Sequence, residues 1–280
     1  MNNKNPSELE FDNFCEKFDI EKHAKSYINS QAFLDTGIKK RLSEDGYVIL
    51  KNVVSKKILE EIRRYWLNPE IKKSRNQFLS YGRDNFRYNF FGKYVRYFDF
   101  YWNPPTHKKS YDLSLLLHFG RNLITGFNPY VGLSFTPKKE AIYLAFTHYP
   151  VGSGEMAVHV DPNNFLPVHY NLPLTHKGLD YETGGLVVYK DGQPIDIDSQ
   201  MQPGDLLLFS GSIPHEIIKV DGKGTQSDLG RLQMFAVPTL FQRKPAFSLS
   251  KSIIKDFYGR LKYMGYRWHI GLKSDHKNFR

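Results

Sequence analysis

Between Ala141 and Pro238 the chain falls into eight short apolar runs, each bounded by Gly, Pro, Asn or Asp. They read AIYLAFTHY, EMAVHVD, FLPVHYNL, GGLVVY, QPIDI, DLLLFSG, HEIIKV and RLQMFAVP. Short runs at this regular spacing, with turn signals between them, predict an all-β sandwich or barrel. Eight strands in two sheets is the jelly-roll number. Gly184-Gly185 and Pro203-Gly204-Asp205 read as tight turns immediately before strands.

The flanks have a different texture. Residues 8 to 35 mix apolar and charged positions at roughly helical spacing. Gly46 to Val54 is short and β-branched, which predicts a strand. Ser55 reads as the N-cap of a helix with apolar residues at Ile58, Leu59, Ile62 and Tyr65. Leu113 to Ile124 reads as a buried helix ending near Gly126. Ile253, Ile254, Phe257, Leu261 and Met264 have helical spacing in the basic tail. The fold expected is mainly β with flanking helices: a double-stranded β-helix (jelly roll) core with an N-terminal helical cap and a C-terminal helix. All 280 residues form one domain in this reading, with a cap over 1–135, a core over 136–242 and a basic helical extension over 243–280.

The net charge of +10 is concentrated in that extension, which alone carries +8. Aromatic residues make up 15% of the chain, and twelve of them crowd into 78–102 with Arg83, Arg87, Lys93 and Arg96 interleaved. Most of this belt is expected to fill the interface between the N-terminal helices and the barrel. A lid or a substrate pocket is the other use for it, and Arg83 and Arg87 then suit an anionic small molecule. A nucleic-acid partner is disfavoured, because the belt is more aromatic than basic and the body is near neutral. The tail is expected to pack an apolar stripe on the barrel and leave a solvated basic face. Contact with an anionic membrane surface is the less favoured alternative. A single cysteine, no apolar leader and no stretch of about 18 apolar residues describe a soluble, cytoplasmic protein.

Within the strand-rich region the tripeptide His159-Val160-Asp161 puts an imidazole and a carboxylate at i and i+2, on one face of a strand. With ten histidines, and acids at about one position in ten, roughly one such pair is expected by chance. The pair gains weight from His215, which follows the apolar strand of PGDLLLFSG and is expected to sit exposed at a strand mouth. Two imidazoles and one carboxylate hold a divalent iron on one face and leave the other open. Arg231 opens RLQMFAVP, and a buried guanidinium needs an anionic partner. Its fork suits a ligand carboxylate, and a salt bridge to a structural Asp or Glu is the alternative. His148, His169 and His176 receive no role, since alternation does not settle their faces.

His-x-Asp, a distal His and an Arg on the following strand, all within a Gly/Pro-punctuated jelly roll, resemble the Fe(II)/2-oxoglutarate-dependent oxygenases. The resemblance covers residues 141 to 242. RLSEDGYVILKNVVSKKILEEIRRYW also looks like the opening of the phytanoyl-CoA dioxygenase-like branch, which extends it to 41–66. The resemblance implies that His159, Asp161 and His215 bind Fe(II), and that Arg231 pairs with the distal carboxylate of 2-oxoglutarate. It further implies that Tyr149 and Asn171 reach the same cosubstrate. Where many members carry Ser or Thr two residues after the arginine, this chain has Gln233, whose amide also donates but reaches further. The implied reaction consumes O2 and hydroxylates a C–H bond of a small, anionic metabolite, releasing succinate and CO2. Asp161 itself counts against halogenation. Open alternatives are a cupin-like isomerase or hydrolase using another metal, a jelly-roll binding protein, and a fold-only pseudo-enzyme.

Overall fold

The computed structural model describes residues 6–68, 94–100, 105, 107–131, 133, 140–152, 155–161, 167–222 and 229–240. Arg83, Arg87, most of the aromatic belt and the basic tail lie outside the described residues. The chain enters through α1 (Pro6–Lys17), two 3-10 turns at Lys22–Tyr27 and Ser30–Phe33, and α2 (Gly37–Asp45). Then come β1 (Tyr47–Leu50), α3 (Lys56–Leu67), β2 (Tyr94–Phe100) and α4 (Lys108–Thr125). The remaining strands are β3 (Glu140–Tyr149), β4 (Met156–His159), β5 (Val168–Pro173), β6 (Thr183–Lys190), β7 (Gln193–Asp196), β8 (Leu206–Ser210), β9 (His215–Asp221) and β10 (Arg231–Leu240). All eight apolar runs become strands. Gly184 and Gly185 lie within β6 rather than before it, which corrects the turn expected there.

The strands form two antiparallel sheets, ordered β1-β8-β5-β10-β3-β2 and β4-β9-β6-β7. Their pairing has a simple logic. β6 turns back on β7, β5 pairs β8, β4 pairs β9 and β3 pairs β10. The chain from β3 to β6 is therefore matched, strand by strand, by the chain from β10 back to β7. One long antiparallel ribbon has been folded so that successive segments cross between two sheets, which is a jelly-roll-like winding. β1 and β2 extend the larger sheet at its two edges. The part of the belt at Tyr94–Phe100 is thus an edge strand continuous with the sheet, not a segment apart from it.

The larger sheet is buried on both faces, so its strands read as continuous apolar runs. Leu206 and Leu208 of β8 join Leu144, Phe146, Tyr170, Leu172, Leu232 and Met234 against the helices. Leu207 and Phe209 of the same strand face the smaller sheet, with Tyr149, Leu186, Val188 and Ile217. Helices α3 and α4 cover the outer face, and α1 packs on α4. Trp66 of α3 stacks on Phe146, with ring centroids 4.6 Å apart, and its indole N–H donates to Ser110 of α4 at 2.9 Å. Tyr65, expected in the buried stripe of α3, is only half-buried, and Trp66 takes the innermost position. The helix expected over Leu113–Ile124 starts earlier, at Lys108, and ends at a left-handed Gly126. It is buried nearly all round because the sheet, α1 and α3 surround it.

Gly120 of α4 sets how closely the first turns of the chain approach. A Cβ there would lie 2.6 Å from the ring of Phe33, a buried side chain with nowhere to swing. Ala is the better helix former by about 1 kcal/mol, but overpacking a rigid core costs about 1–3 kcal/mol. Gly120→Ala is therefore expected to destabilise the protein by up to about 2 kcal/mol, measured as a lower urea midpoint at unchanged slope.

Candidate metal centre

β4 is an edge strand of four residues, and its register is irregular. Met156 stands opposite Ile217 and His159 opposite His215, with a bulge between them. The bulge leaves both Ala157 and Val158 facing outward and turns His159 in, 6% exposed. Val160 faces solvent, as the i, i+2 reading requires, and Asp161 lies just past the strand end. Its backbone N–H donates to the carbonyl of Gly211 at 2.7 Å, which ties this end of the strand to the turn between β8 and β9. His215 opens β9 and is 3% exposed, not at an open mouth. The expectation of an exposed histidine overlooked β4 and β6, which pair with His215 from either side of β9.

The two imidazoles are prepared in the same way. Nδ1 of His159 donates to the carbonyl of Ala157 at 2.8 Å, and Nδ1 of His215 to that of Ile213 at 2.9 Å. A carbonyl only accepts, so each Nδ1 carries the proton and each Nε2 is left as the basic nitrogen. Both Nε2 atoms face Asp161, at 3.9 Å for His159 and 3.7 Å for His215. These separations are too long for hydrogen bonds and suit a cation between them. One ligand atom from each residue lies within 4.8 Å of the others, and the described residues hold no second cluster of this kind. Burial pushes the His215 imidazole below its ordinary pKa, which favours the neutral form that a metal needs. The donor set of two neutral imidazoles and one carboxylate fits Fe(II) or a similar first-row dication.

His169 of β5 completes the arrangement and had no assigned role. Its Nδ1 donates to the Asp161 carboxylate at 3.1 Å. Its buried Nε2 has no hydrogen-bond partner among the described residues. Burial alone would raise the Asp161 carboxyl, but the His169 hydrogen bond and the three imidazoles outweigh it and hold the pKa at about 2. Phe209 packs against both His169 and His215, with centroids 5.6 and 5.1 Å away. The alternation of β5 puts His169 on the same face as Asn171 once Tyr170 and Leu172 are seen to face the helices.

The remaining predicted residues gather in a second polar cluster on the same inner surface. Arg231 and Tyr149 are register partners across β10 and β3. Arg231 is 2% exposed, and its anionic partner is Asp198, in the 3-10 turn Asp198–Gln200 after β7. Nε donates to Oδ2 at 2.5 Å and Nη2 to Oδ1 at 3.1 Å. The pair expected with a ligand is thus made with a residue of the chain itself, the alternative partner the sequence had left open. Gln233 does not extend a free amide: its Oε1 accepts from Arg231 and from Asn171, and its Nε2 donates to Thr147 at 2.9 Å. Tyr149 is fully buried among Tyr181, Leu186 and Phe209. Tyr181 donates to Asp198 at 2.7 Å, as does the N–H of Leu186 at 2.9 Å. Asp198, Tyr181 and Thr147 were not anticipated, because the sequence does not say which strand the turn after β7 approaches.

No family model matches the chain, and no curated protein matches it. Solved structures do. A prolyl hydroxylase from Trichoplax adhaerens, in complex with a hypoxia inducible factor oxygen degradation domain peptide, aligns at TM-score 0.50 and 17% identity, over 74% of this chain and 89% of that one. A Pseudomonas putida prolyl-4-hydroxylase aligns at 0.49 and 16% identity, over 71% and 95%. EctD from S. alaskensis, with 2-oxoglutarate and 5-hydroxyectoine, aligns at 0.44 and 15% identity, over 71% and 74%. At 17% identity the likeness to the Trichoplax structure is one of fold. No helix among the described residues is long and apolar enough to cross a membrane.

Removing the donor that orients a metal-bound carboxylate typically weakens metal binding by about 10–100-fold. His169→Phe is expected to lower Mn(II) affinity in that range, measured by calorimetry, with the circular dichroism spectrum retained. An unchanged affinity would mean that Asp161 is held by the Gly211 backbone contact alone.

Proposed function

We propose that this chain is a non-haem Fe(II)- and 2-oxoglutarate-dependent oxygenase that hydroxylates a C–H bond of a small, anionic molecule. The observation that carries this reading is the His159–His215 pair, fixed in one tautomer by backbone carbonyls and turned on Asp161. We read the two-sheet winding around it as the double-stranded β-helix. The fold shared with the Trichoplax hydroxylase supports that reading. The strand-then-helix of β1 and α3 supports a place near the phytanoyl-CoA dioxygenase-like branch.

Bound Fe(II), 2-oxoglutarate and O2 would supply the oxidising chemistry, ending in succinate, CO2 and a hydroxylated product. The chain's own residues do the rest. His159, Asp161 and His215 occupy one face and leave the opposite face for ligands. His169 keeps Asp161 ionised and oriented. Phe209, Leu186 and Ile217 keep the interior dry, which strengthens every charge interaction within it. Arg231, with Tyr149, Asn171 and Gln233 around it, is the assigned contact for the cosubstrate's distal carboxylate. Arg83 and Arg87 are the assigned contacts for an anionic substrate.

One observation favours a second reading. Asp198 already neutralises Arg231, as it would in a cupin-like metal protein that uses no dicarboxylate. Turnover separates the two. Purified protein with Fe(II), ascorbate and 2-oxoglutarate is expected to form succinate slowly without any substrate, and His159→Ala to abolish both Fe(II) binding and succinate. Metal binding with neither succinate nor 2-oxoglutarate binding would leave the second reading standing.

A further inference from the structure

The larger inner cluster is built around Asp198 rather than around a vacant guanidinium. Asp198 is 4% exposed, and its carboxylate accepts from Arg231 Nε and Nη2, from the Tyr181 hydroxyl and from the Leu186 N–H. Its seat is made by a glycine. Gly185 has φ +102°, and a Cβ there would lie 2.2 Å from Asp198 Oδ2. No L side chain fits that backbone conformation or that space. The sequence thus commits a glycine inside a strand, a tyrosine and a backbone amide to holding one carboxylate on the side-on edge of one arginine.

That carboxylate, from the turn after β7, is held against the strand that backs the metal centre. Val188 of β6 is the register partner of His215, and Leu186, two residues along the same face, donates to Asp198. Two residues of strand span about 6–7 Å. The oxygenase reading brings the distal carboxylate of a five-carbon 2-oxo acid to Arg231. There that carboxylate would meet an anion already in place.

We propose that Asp198 is the specificity-determining residue of the cosubstrate subsite, an internal carboxylate that competes with the distal carboxylate of a 2-oxo acid for Arg231. The inference rests on the oxygenase reading above. Its consequence is that the distal carboxylate contributes little in this chain. A 2-oxo acid without one should bind the loaded metal centre about as well as 2-oxoglutarate does. Removing the internal charge should restore the preference, because a desolvated guanidinium left without its anion recruits another.

The test compares 2-oxoglutarate with 2-oxopentanoate, which has the same carbon chain and a methyl group in place of the distal carboxylate. Both are titrated calorimetrically, without oxygen, into Mn(II)-loaded full-length protein. In the wild type the two dissociation constants are expected to agree within about threefold. In Asp198→Asn the ratio should shift about tenfold or more toward 2-oxoglutarate, with Mn(II) affinity unchanged. Tyr181→Phe, which removes one donor from Asp198 and leaves the charge in place, should shift it less and in the same direction. That variant carries the test if Asp198→Asn does not fold. A wild type that already prefers 2-oxoglutarate strongly, with no gain in either variant, overturns the competition and leaves the oxygenase reading intact. A pair of purely structural residues would show lower thermal stability in Asp198→Asn and no change in the ratio, which also overturns it. Failure of every form to bind either acid, with Mn(II) bound normally, removes the 2-oxo acid reading itself.

Discussion

Two histidines on neighbouring strands can share a metal only while those strands stay in register, because a slip of one residue turns every side chain to the opposite face. In this chain β4 is a four-residue edge strand, the kind least able to hold register by itself. The bulge between Met156 and His159 fixes the phase, and His159 then meets His215 directly across the ladder. β9 is held on its other side by β6, through five register pairs that end at Val188 and His215. The Asp161 N–H bound to Gly211 closes the third side. Each constraint is a backbone interaction, so the site's geometry depends little on side-chain choice outside the site itself.

The cost of such an interior is polar groups out of water, and the two-sided burial of the larger sheet is what makes it sustainable. Its outer face holds Leu144, Phe146, Tyr170, Leu172, Leu232 and Met234 against α3 and α4. At roughly 1.5–3 kcal/mol for each large side chain buried, that layer supplies the driving force that the inner face lacks. The inner face of the same strands can then carry Thr147, His169, Asn171, Arg231 and Gln233. Among these, every hydrogen-bonding group in the Arg231 cluster is shared with a neighbour: Asn171 to Gln233, Gln233 to Thr147, Arg231 to Asp198. Breaking one member of a buried ion pair typically costs about 3–5 kcal/mol, so the cluster has little freedom to reorganise on its own.

The barrel strands were legible because turn residues mark them at short intervals, and period-2 alternation placed His159 and Asp161 on one face. The grouping of His159, Asp161 and His215 followed from residue type and spacing. What the sequence did not show depends on which strands become neighbours. His215 looked exposed, since nothing local to HEIIKV reveals that β4 and β6 flank it. Gly184-Gly185 looked like a turn, since the need for a missing Cβ beside Asp198 arises only when the turn after β7 packs on β6. His169 was passed over for the same reason: its partner, Asp161, lies past the end of β4, a strand of the other sheet. Arg231 was correctly read as requiring an anion, but a residue's demand for a partner does not say whether the partner is a ligand or the chain.

The distribution of charge bears on what can enter the interior, and in what order. Without ligands Asp198 is compensated by Arg231, while Asp161, facing neutral imidazoles, leaves a single negative charge in the interior. Arg231, paired at hydrogen-bond distance, presents no net positive charge to an incoming anion. A dication seated between two neutral imidazoles and one carboxylate changes this, because it leaves a single positive charge in excess in a dry cavity. The attraction for an anionic cosubstrate then originates at the metal end, and the arginine end decides only how much the far carboxylate adds. In the proposed oxygenase, metal binding must therefore come first. The preference among 2-oxo acids is a contest between the ligand's carboxylate and one the protein carries itself.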